Sequence, residues 1–513
     1  MCGIFAIINP TETQNDTINL YMKGSHRGPD HSCFLPITDK IWFGFHRLAI
    51  NGLNSNSNQP FSIHGIYLIC NGEIYNHENL FKMMNITPTT SSDCEIIVHL
   101  YHRYGIEQTV QMIDASEFSF VLYDTTKSKI YAVRDPYGVR PLFQGTKGDT
   151  TCFTSEIKMM PVDMKITTLL PGTITTDNAT IAYCSLPAIN HSITDPYELI
   201  RNALRECVYK RVINTERPIA CLLSGGLDSS LIATIVNECR KQIGITEPIE
   251  TYSIGLEGSE DLKYAAIMAN FLGSKHTSLV VSENDFLNAI PEVIWAIESR
   301  DTTTVRASVG NYLISKHIRT HSEAKVIFNG DGADEVCGGY LYMKNAPDAI
   351  EFDKECRRLV KDIHYFDALR SDRCISHHGL EARTPFLDRI FVEMYLSIPV
   401  QFRYTKCEKF LLRTAFQGIM PDAILWRKKE AFSDGVSSLK RSWYSIIQSS
   451  IPPSVQTEHA YSQSPLTQEQ YYYKSIYDKY YDTDLLPYYW MPKYTTSLDC
   501  SARTLETYLN KNE

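Results

Sequence analysis

The stretch Ile219-Ala-Cys-Leu-Leu-Ser-Gly-Gly-Leu-Asp-Ser-Ser230 constrains the fold of this chain more than any other. Residues 219–223 form an apolar run with no polar alternation, which suits a strand buried on both faces of a parallel sheet. Ser224, Gly225 and Gly226 supply a turn that lets the backbone approach a ligand closely. From Ser230 onward, Leu231, Ile232, Ile235, Val236 and Cys239 recur at helical spacing. Strand, small-residue loop and helix N-terminus make an anion site from free N–H groups and the helix dipole. Ser224, Ser229 and Ser230 add hydroxyl donors. Asp228 would repel a bare anion, so its place here implies a Mg²⁺ between carboxylate and phosphates. No Gly-Lys-Ser/Thr follows, which excludes the Walker pattern.

The βα alternation continues downstream. Strands are predicted at 250–254, 277–281 and 325–328, and helices at 197–212, 261–272 and 285–298. The strand at 325–328 feeds Asn329-Gly-Asp-Gly-Ala-Asp-Glu335, and Cys337-Gly-Gly-Tyr340 follows. This pattern predicts a doubly wound parallel sheet with ligands at the carboxyl ends of its strands. Asp228 and Asp334, from two such ends, would then hold one Mg²⁺–pyrophosphate. A Ca²⁺ loop is the competing reading of 331–335, but the helix–loop–helix frame and the terminal ligand of an EF-hand are missing.

The amino-terminal part reads differently. Cys2 follows Met1 directly, and a small residue at position 2 permits removal of Met1. The thiol and a free α-amine, whose pKa is about 7.7–8.0, would then share one residue. The apolar run 66–70 leads into Asn71-Gly-Glu-Ile-Tyr-Asn-His77. An amide side chain and an exposed N–H at that point suit an oxyanion hole, and an ordinary Asn-Gly hairpin turn is the plain alternative. Arg47 is a charge inside a strand-like run, suited to a substrate carboxylate or to a structural ion pair. Asp93 precedes a helix predicted at 96–104, where an N-cap is the plain alternative. Residues 51–58 read as a polar surface loop.

A chain of 513 residues predicts two or three domains. The pattern breaks between 184 and 196, so the domains are placed at 2–184 and 197–513. The net charge is −9 and no basic cluster stands out, which argues against a nucleic-acid partner. The 14 cysteines are scattered with no Cys-x-x-Cys pair, which reads as reduced thiols in the cytoplasm. No apolar stretch is long enough to span a bilayer, and residues 1–9 lack the basic leader of a signal peptide.

Residues 224–229 resemble the pyrophosphate loop of the N-type ATP pyrophosphatases, which cleave ATP between the α and β phosphates. Cys2, Arg27-Gly-Pro-Asp30, residues 71–77 and Arg134-Asp-Pro-Tyr-Gly-Val-Arg-Pro141 resemble the class II glutamine amidotransferases. That resemblance implies an N-terminal-nucleophile αββα sandwich. It implies Cys2 as nucleophile, Asn71 and the Gly72 N–H as oxyanion hole, and Arg47 on the glutamine carboxylate. Glu73 and Asp93 would take the glutamine ammonium, with Leu48 and Ile50 also in that site. Together with Ser253-Ile-Gly-Leu256, residues 330–340, His378-Gly-Leu-Glu-Ala-Arg-Thr-Pro-Phe-Leu-Asp388, Arg427-Lys-Lys-Glu-Ala-Phe-Ser-Asp-Gly435, Trp490-Met-Pro-Lys493 and Ser501-Ala-Arg-Thr504, the whole resembles the glutamine-hydrolysing asparagine synthetases. This implies ATP contacts at Leu223, Ser224, Gly225, Gly226, Asp228, Ser229, Ile254, Asn329 and Gly330, with Lys429 near the phosphates. It implies ATP as co-substrate, aspartate and glutamine as the other substrates, and leaves a homodimer open.

Two features depart from the family pattern. Ser91 stands where glycine is frequent, and Asn329-Gly330-Asp331 replaces Ser-Gly-Glu, so the acid expected to deprotonate ammonia is one methylene shorter. For Arg383 and Glu381 a buried ion pair is the plain reading, against Arg383 on an aspartate carboxylate. Two other functions compete: a ligase amidating another carboxylate, such as a β-lactam-forming relative, and a non-catalytic or filament-forming relative. The Tyr-rich segment 471–489 is expected to pack rather than to form a mobile tail.

Overall fold

The computed structural model describes residues 1–513 except 178, 463–464, 483–488, 498 and 506–513. Its amino-terminal half stacks two six-stranded antiparallel sheets. One sheet runs in the order Lys165–Thr168, Phe143–Lys147, Thr150–Thr154, Gly3–Ile8, Ile41–Arg47 and His31–Thr38. The other runs Thr180–Ala182, Thr173–Thr175, Lys129–Arg134, Phe118–Asp124, Ile66–Gly72 and Phe61–Ile63.

Side-chain alternation explains the layering, because successive residues of a strand face opposite sides. Ile4 and Ala6 point between the sheets and share a cluster with Phe43, Phe45, Ile69, Val121 and Ala132. Leu68, Cys70, Phe120 and Leu122 point away, into a cluster with Leu80, Phe81, Ile97 and Leu100 of the helices His77–Met84 and Ile96–Tyr104. Phe5 and Ile7 point out of the first sheet into a cluster with Tyr21 of the helix Gln14–Met22. That cluster also holds Ile290, Val293 and Val309, from the carboxy-terminal half. The expected αββα sandwich is present, with much of one outer layer contributed by the other half of the chain.

The carboxy-terminal half is built on five parallel strands in the order Lys275–Val281, Glu250–Leu256, Ile219–Leu222, Val326–Phe328 and Glu381–Arg383. Cys221, Val326 and Phe328 face the helices Tyr197–Ile213 and Leu227–Gln242. Ala220, Ile327 and Ala382 face the helices Glu283–Ile297 and Thr302–His321 on the other side. The sheet is therefore doubly wound. Its order reverses at Ile219–Leu222, which pairs with Glu250–Leu256 on one side and Val326–Phe328 on the other. Ligands of such sheets bind outside the carboxyl ends at that reversal.

Several sequence expectations need correction. Asn71 and Gly72 do not form a hairpin turn: they are the last residues of the strand Ile66–Gly72, opposite Ser119 and Phe118. The phosphate-loop helix starts at Leu227 rather than Ser230, which puts Asp228 in its first turn. The helix Thr302–His321 and the strand Glu381–Arg383 had no clear pattern in the sequence. Most of that helix is buried, so no wet face marks its period. Of the Tyr-rich segment, Tyr473, Tyr477 and Tyr481 are buried in the shared cluster, and 483–488 lie outside the described residues. Among the described residues no helix is long and apolar enough to cross a membrane.

Candidate active sites

The first site lies where the two antiparallel sheets meet at Cys2. The Cys2 N–H donates to Asn71 Oδ1 at 2.8 Å. The Leu48 N–H points at Cys2 Sγ at 3.4 Å. Asn71 Nδ2 is buried with no hydrogen-bond partner. Buried donors are rarely left unpaired, so one that is becomes a site for a ligand acceptor. The amide of Asn71 thus has its oxygen committed to the Cys2 nitrogen and its nitrogen spare for an oxyanion. At Gly72 a Cβ would stand 2.5 Å from the Phe118 Cβ, so only glycine fits the strand here.

Met1 is fully buried beside this group. Its terminal amine is 3.5 Å from Glu381 Oε2, and Arg140 donates to its Sδ at 2.8 Å. Burial pushes the Cys2 thiol up to about 11, against the opposing pull of the charged terminus. With Met1 in place the Cys2 nitrogen is an amide and offers no base.

Of the glutamine-binding residues expected from the sequence, Leu48 touches this thiol through both its N–H and its carbonyl. Arg47 donates to Asn54 O at 3.0 Å, Asn58 Oδ1 at 2.7 Å, Asn51 O at 3.0 Å and also to Gly52 O. The loop 51–58 is therefore not a passive surface loop but a collar on the guanidinium. Glu73 Oε2 accepts from Asn51 at 2.7 Å and Asn214 at 2.8 Å, and lies 3.3 Å from Arg383. Asp93 Oδ2 accepts the Ile74 N–H at 2.6 Å, while Ser92 caps the turn that Asp93 begins. Burial raises both Glu73 and Asp93, and for Glu73 the nearby Asp93 adds to it. Leu48 and Ile50 are buried in the cluster that continues into the carboxy-terminal half.

The second site is a cleft at the reversal point of the parallel sheet, lined by both acidic loops. Ser224 N–H donates to Ser229 Oγ at 3.2 Å, and Gly226 N–H to Ser224 Oγ at 3.3 Å, which closes the first loop on itself. Leu223, Ser224, Gly226, Asp228 and Ser229 line the cleft, as do Ile254, Asn329, Gly330 and Lys429. Gly225 does not. It has φ +72°, and a Cβ there would stand 2.3 Å from the Ala265 nitrogen, so it seats the loop on the helix Glu260–Leu272. At Gly330 a Cβ would come within 2.8 Å of the Ser229 nitrogen, so the two loops touch there.

Between the two aspartates sits a residue that sequence reasoning missed. Lys409 Nζ is 2.6 Å from Asp228 Oδ2 and 2.6 Å from Asp334 Oδ1. Lys429 reaches the other oxygen of Asp334. Burial would raise Asp334, but Lys409 and Lys429 outweigh it and hold the carboxyl well below its usual range. Lys409 lies 181 residues from Asp228 in a polar stretch with no periodicity, so no local signal marks it. Its φ of +53° is a left-handed conformation uncommon for a non-glycine residue, and such strain clusters at sites.

Asp331 also lines the cleft. Its carboxylate accepts from Arg370 at 2.8 Å and from Asn329 Nδ2 at 2.9 Å. Burial raises it, against the pull of Arg370. The shorter acid is thus pinned by a guanidinium that also lies 3.2 Å from Asp367. Arg383 and Glu381 form the plain reading, a fully buried ion pair at 3.0 Å. Arg383 extends that pair to Glu73 of the first site, and its backbone oxygen accepts the Asn329 N–H of the second at 3.2 Å.

A thiol at a sandwich edge and an acidic, lysine-bridged cleft on a doubly wound sheet, joined by one strand, define a two-domain amidotransferase. The comparisons agree. The family described as "Glutamine amidotransferase domain" matches residues 1–192, and that described as "Asparagine synthase" matches 199–351 and 344–498. Proteins named asparagine synthetase [glutamine-hydrolyzing] are similar over 99% of this chain and 99% of their own, at 38% identity in Gallus gallus, 39% in Mus musculus and 38% in Homo sapiens. A solved glutamine phosphoribosylpyrophosphate amidotransferase from B. subtilis covers 54% of this chain and 81% of its own at 17% identity, with a TM-score of 0.32 that adds nothing to the fold described above. The chain belongs to the glutamine-hydrolysing asparagine synthetase family.

Proposed function

We propose that the chain makes asparagine from aspartate, glutamine and ATP, with glutamate, AMP and pyrophosphate as the other products. Met1 is removed, and the freed α-amine of Cys2, held by Asn71 Oδ1, takes the thiol proton. Sγ attacks the glutamine amide carbon while Asn71 Nδ2 and the Gly72 N–H receive the developing oxyanion. Ammonia leaves, and water cleaves the thioester to glutamate. Arg47 takes the glutamine carboxylate, and Glu73 and Asp93 take its ammonium.

In the cleft the aspartate β-carboxylate attacks the α-phosphorus of ATP, and pyrophosphate departs. Ammonia then displaces AMP from the acyl adenylate. Ser224, Gly226, Ser229 and the start of the helix Leu227–Gln242 hold the phosphates. Leu223, Ile254, Asn329 and Gly330 flank the nucleotide. Lys409 and Lys429 face the leaving pyrophosphate, and Asp331 takes a proton from the attacking ammonia. Mg²⁺ fits the residues present: Asp228 and Asp334 offer hard oxygens, and Asp228 Oδ1 is buried without a partner. Among the described residues no group of three such ligands exists, so phosphate and water oxygens would complete its shell. When bound, Mg²⁺ offsets charge on the departing pyrophosphate. We place the domain boundary between 184 and 197 and the enzyme in the cytoplasm, where its 14 free cysteines stay reduced.

The observation that carries this reading is the strand Glu381–Arg383, whose Arg383 touches Glu73 with its side chain and Asn329 with its backbone. Cys2→Ala tests it. Synthesis from glutamine should vanish while synthesis from added ammonium salt persists. Asparagine formed from glutamine by this variant would sink the nucleophile assignment. Loss of the ammonium reaction in a folded protein would sink the separation of the two sites.

A further inference from the structure

Lys429 sits in a segment, 427–431, with no helix or strand to fix it. Asp334 pairs with its ammonium, so what has to be held is the backbone that carries the side chain. Arg427 anchors one side, through Asp261 at 2.8 Å and the ring of Tyr264 at 4.1 Å. The other side is held by the carboxy-terminal segment. Asp434, buried in the short helix Phe432–Gly435 that follows Lys429, accepts Ser501 Oγ–H at 2.6 Å and the Ala502 N–H at 3.0 Å. Arg503 lies 3.3 Å from the Glu430 carboxylate, next to Lys429, and donates to Ser438 O at 2.9 Å. One guanidinium therefore closes residues 430–438 into a ring whose rim carries Lys429.

The segment is itself tied down. Arg306, buried in the helix Thr302–His321, donates to Asp499 at 2.9 Å and to Glu469 at 2.8 and 2.6 Å. The Trp490 N–H donates to Asp301 Oδ1 at 2.9 Å, and the Trp490 ring lies 5.0 Å from that of Tyr340 at the cleft. The described residues of this stretch thus meet Tyr340 of the cleft lining at Trp490 and the segment after Lys429 at Ser501 and Arg503.

We propose that Ser501 and Arg503 are positioning residues for pyrophosphate formation: they hold the loop 430–438 and so set where the Lys429 ammonium stands. The proposal rests on the reading of Lys429 given above. The physical reason is that residues 427–431 have no helix or strand of their own. A long lysine on a loop loses conformational freedom when it binds, and a loop already fixed has less left to lose.

The test uses the full chain with ammonium chloride as nitrogen donor, and follows pyrophosphate release. Arg503→Gln should slow it roughly tenfold, the size of one lost charge-assisted hydrogen bond, with glutamine hydrolysis unchanged. Lys429→Ala alone should slow it more. In the Lys429→Ala background Arg503→Gln should add no further loss, because nothing remains to be positioned. An equal loss in both backgrounds would show that Arg503 acts on the fold at large and overturn the proposal. A wild-type rate for Arg503→Gln would also overturn it. If Lys429→Ala itself kept the wild-type rate, the phosphate role of Lys429 would fail, and the positioning role with it. Should Arg503→Gln not fold, as judged by lost glutamine hydrolysis, Ser501→Ala removes a single hydroxyl from the same brace and takes its place in the cycle.

Discussion

Asn71 offers the sharpest test of the first site, because one side-chain amide has two separable jobs there. Its oxygen holds the Cys2 nitrogen at 2.8 Å, and its Nδ2 is the buried donor without a partner. Asn71→Ala removes both. Loss of one oxyanion donor typically lowers kcat by about 10²–10³, or about 2.7–4 kcal/mol. The lost contact also leaves the Cys2 nitrogen buried and unpaired, a destabilisation of about 1–3 kcal/mol against a domain stability of about 5–15 kcal/mol. The protein should therefore remain folded at room temperature with a lowered melting point. Glutamate release from glutamine, followed with a coupled assay, should fall at least about 10²-fold in kcat. Asparagine synthesis from ammonium chloride, measured on the same preparation, should stay near the wild-type rate. That second measurement matters because Asn71 lies in the antiparallel half while the residues lining the cleft run from Leu222 onward. Glutamate release within about threefold of wild type would refute the oxyanion role, whatever happened to stability.

Two further outcomes follow from the charge arrangement. Lys409→Met keeps the aliphatic stem but leaves Asp228 and Asp334 facing each other without their shared ammonium; pyrophosphate release should fall about 10²-fold or more with glutamine hydrolysis intact, and an unchanged rate would remove Lys409 from the site. Stability should be acid-sensitive at the joint between halves. Glu117 is held at about 2 by Arg211 and Arg140 and by hydrogen bonds despite burial, and Asp388 at about 2 by Arg211 and Lys210. Both lie below their ordinary values of 4.5 and 3.8, so the stability they add is fully present above those values and is lost as pH falls towards 2. Thermal melts should show the midpoint dropping steeply across that window, and a flat profile from pH 5 to about 2 would contradict the assignment.

The parts of the molecule legible from sequence are those where chemistry and geometry are local. Residues 219–229 carry their strand, turn and helix start in consecutive positions, and glycine is demanded at 225 because Ala265 leaves no room. The same holds for Cys2 and for the pair Asn71–Gly72, although the latter belong to a strand rather than a turn. Sheet order was implied only as a class, because parallel pairing is decided by long-range packing. The helix Thr302–His321 was hidden by its own burial, since a segment covered on most sides shows no polar stripe. Lys409 and Arg370 were hidden by distance along the chain: Asp228, Asp334 and Asp331 reach them from other elements, and only Asp367 is local to Arg370.

That last group bears on why the halves are not independent modules. Phe5 and Ile7 share a buried cluster with Ile290 and Val309, and Leu48 and Ile50 share another with Leu204 and Leu231. A boundary at 184–197 therefore separates topologies, not cores. Charges cross it as well: Arg27 pairs with Asp372 at 2.8 Å, Glu156 with Arg373 at 2.9 Å, and Glu117 with Arg211 at 3.3 Å. Ion pairs removed from water are tolerable only when every member is compensated, so each half buries charges that the other neutralises. Cut at 184–197, either half would expose apolar sheet and helix faces and leave guanidinium or carboxylate groups stranded at the cut face. A joint of this kind ties the strand that begins beside Cys2 to the parallel sheet through buried packing and charge rather than through a linker.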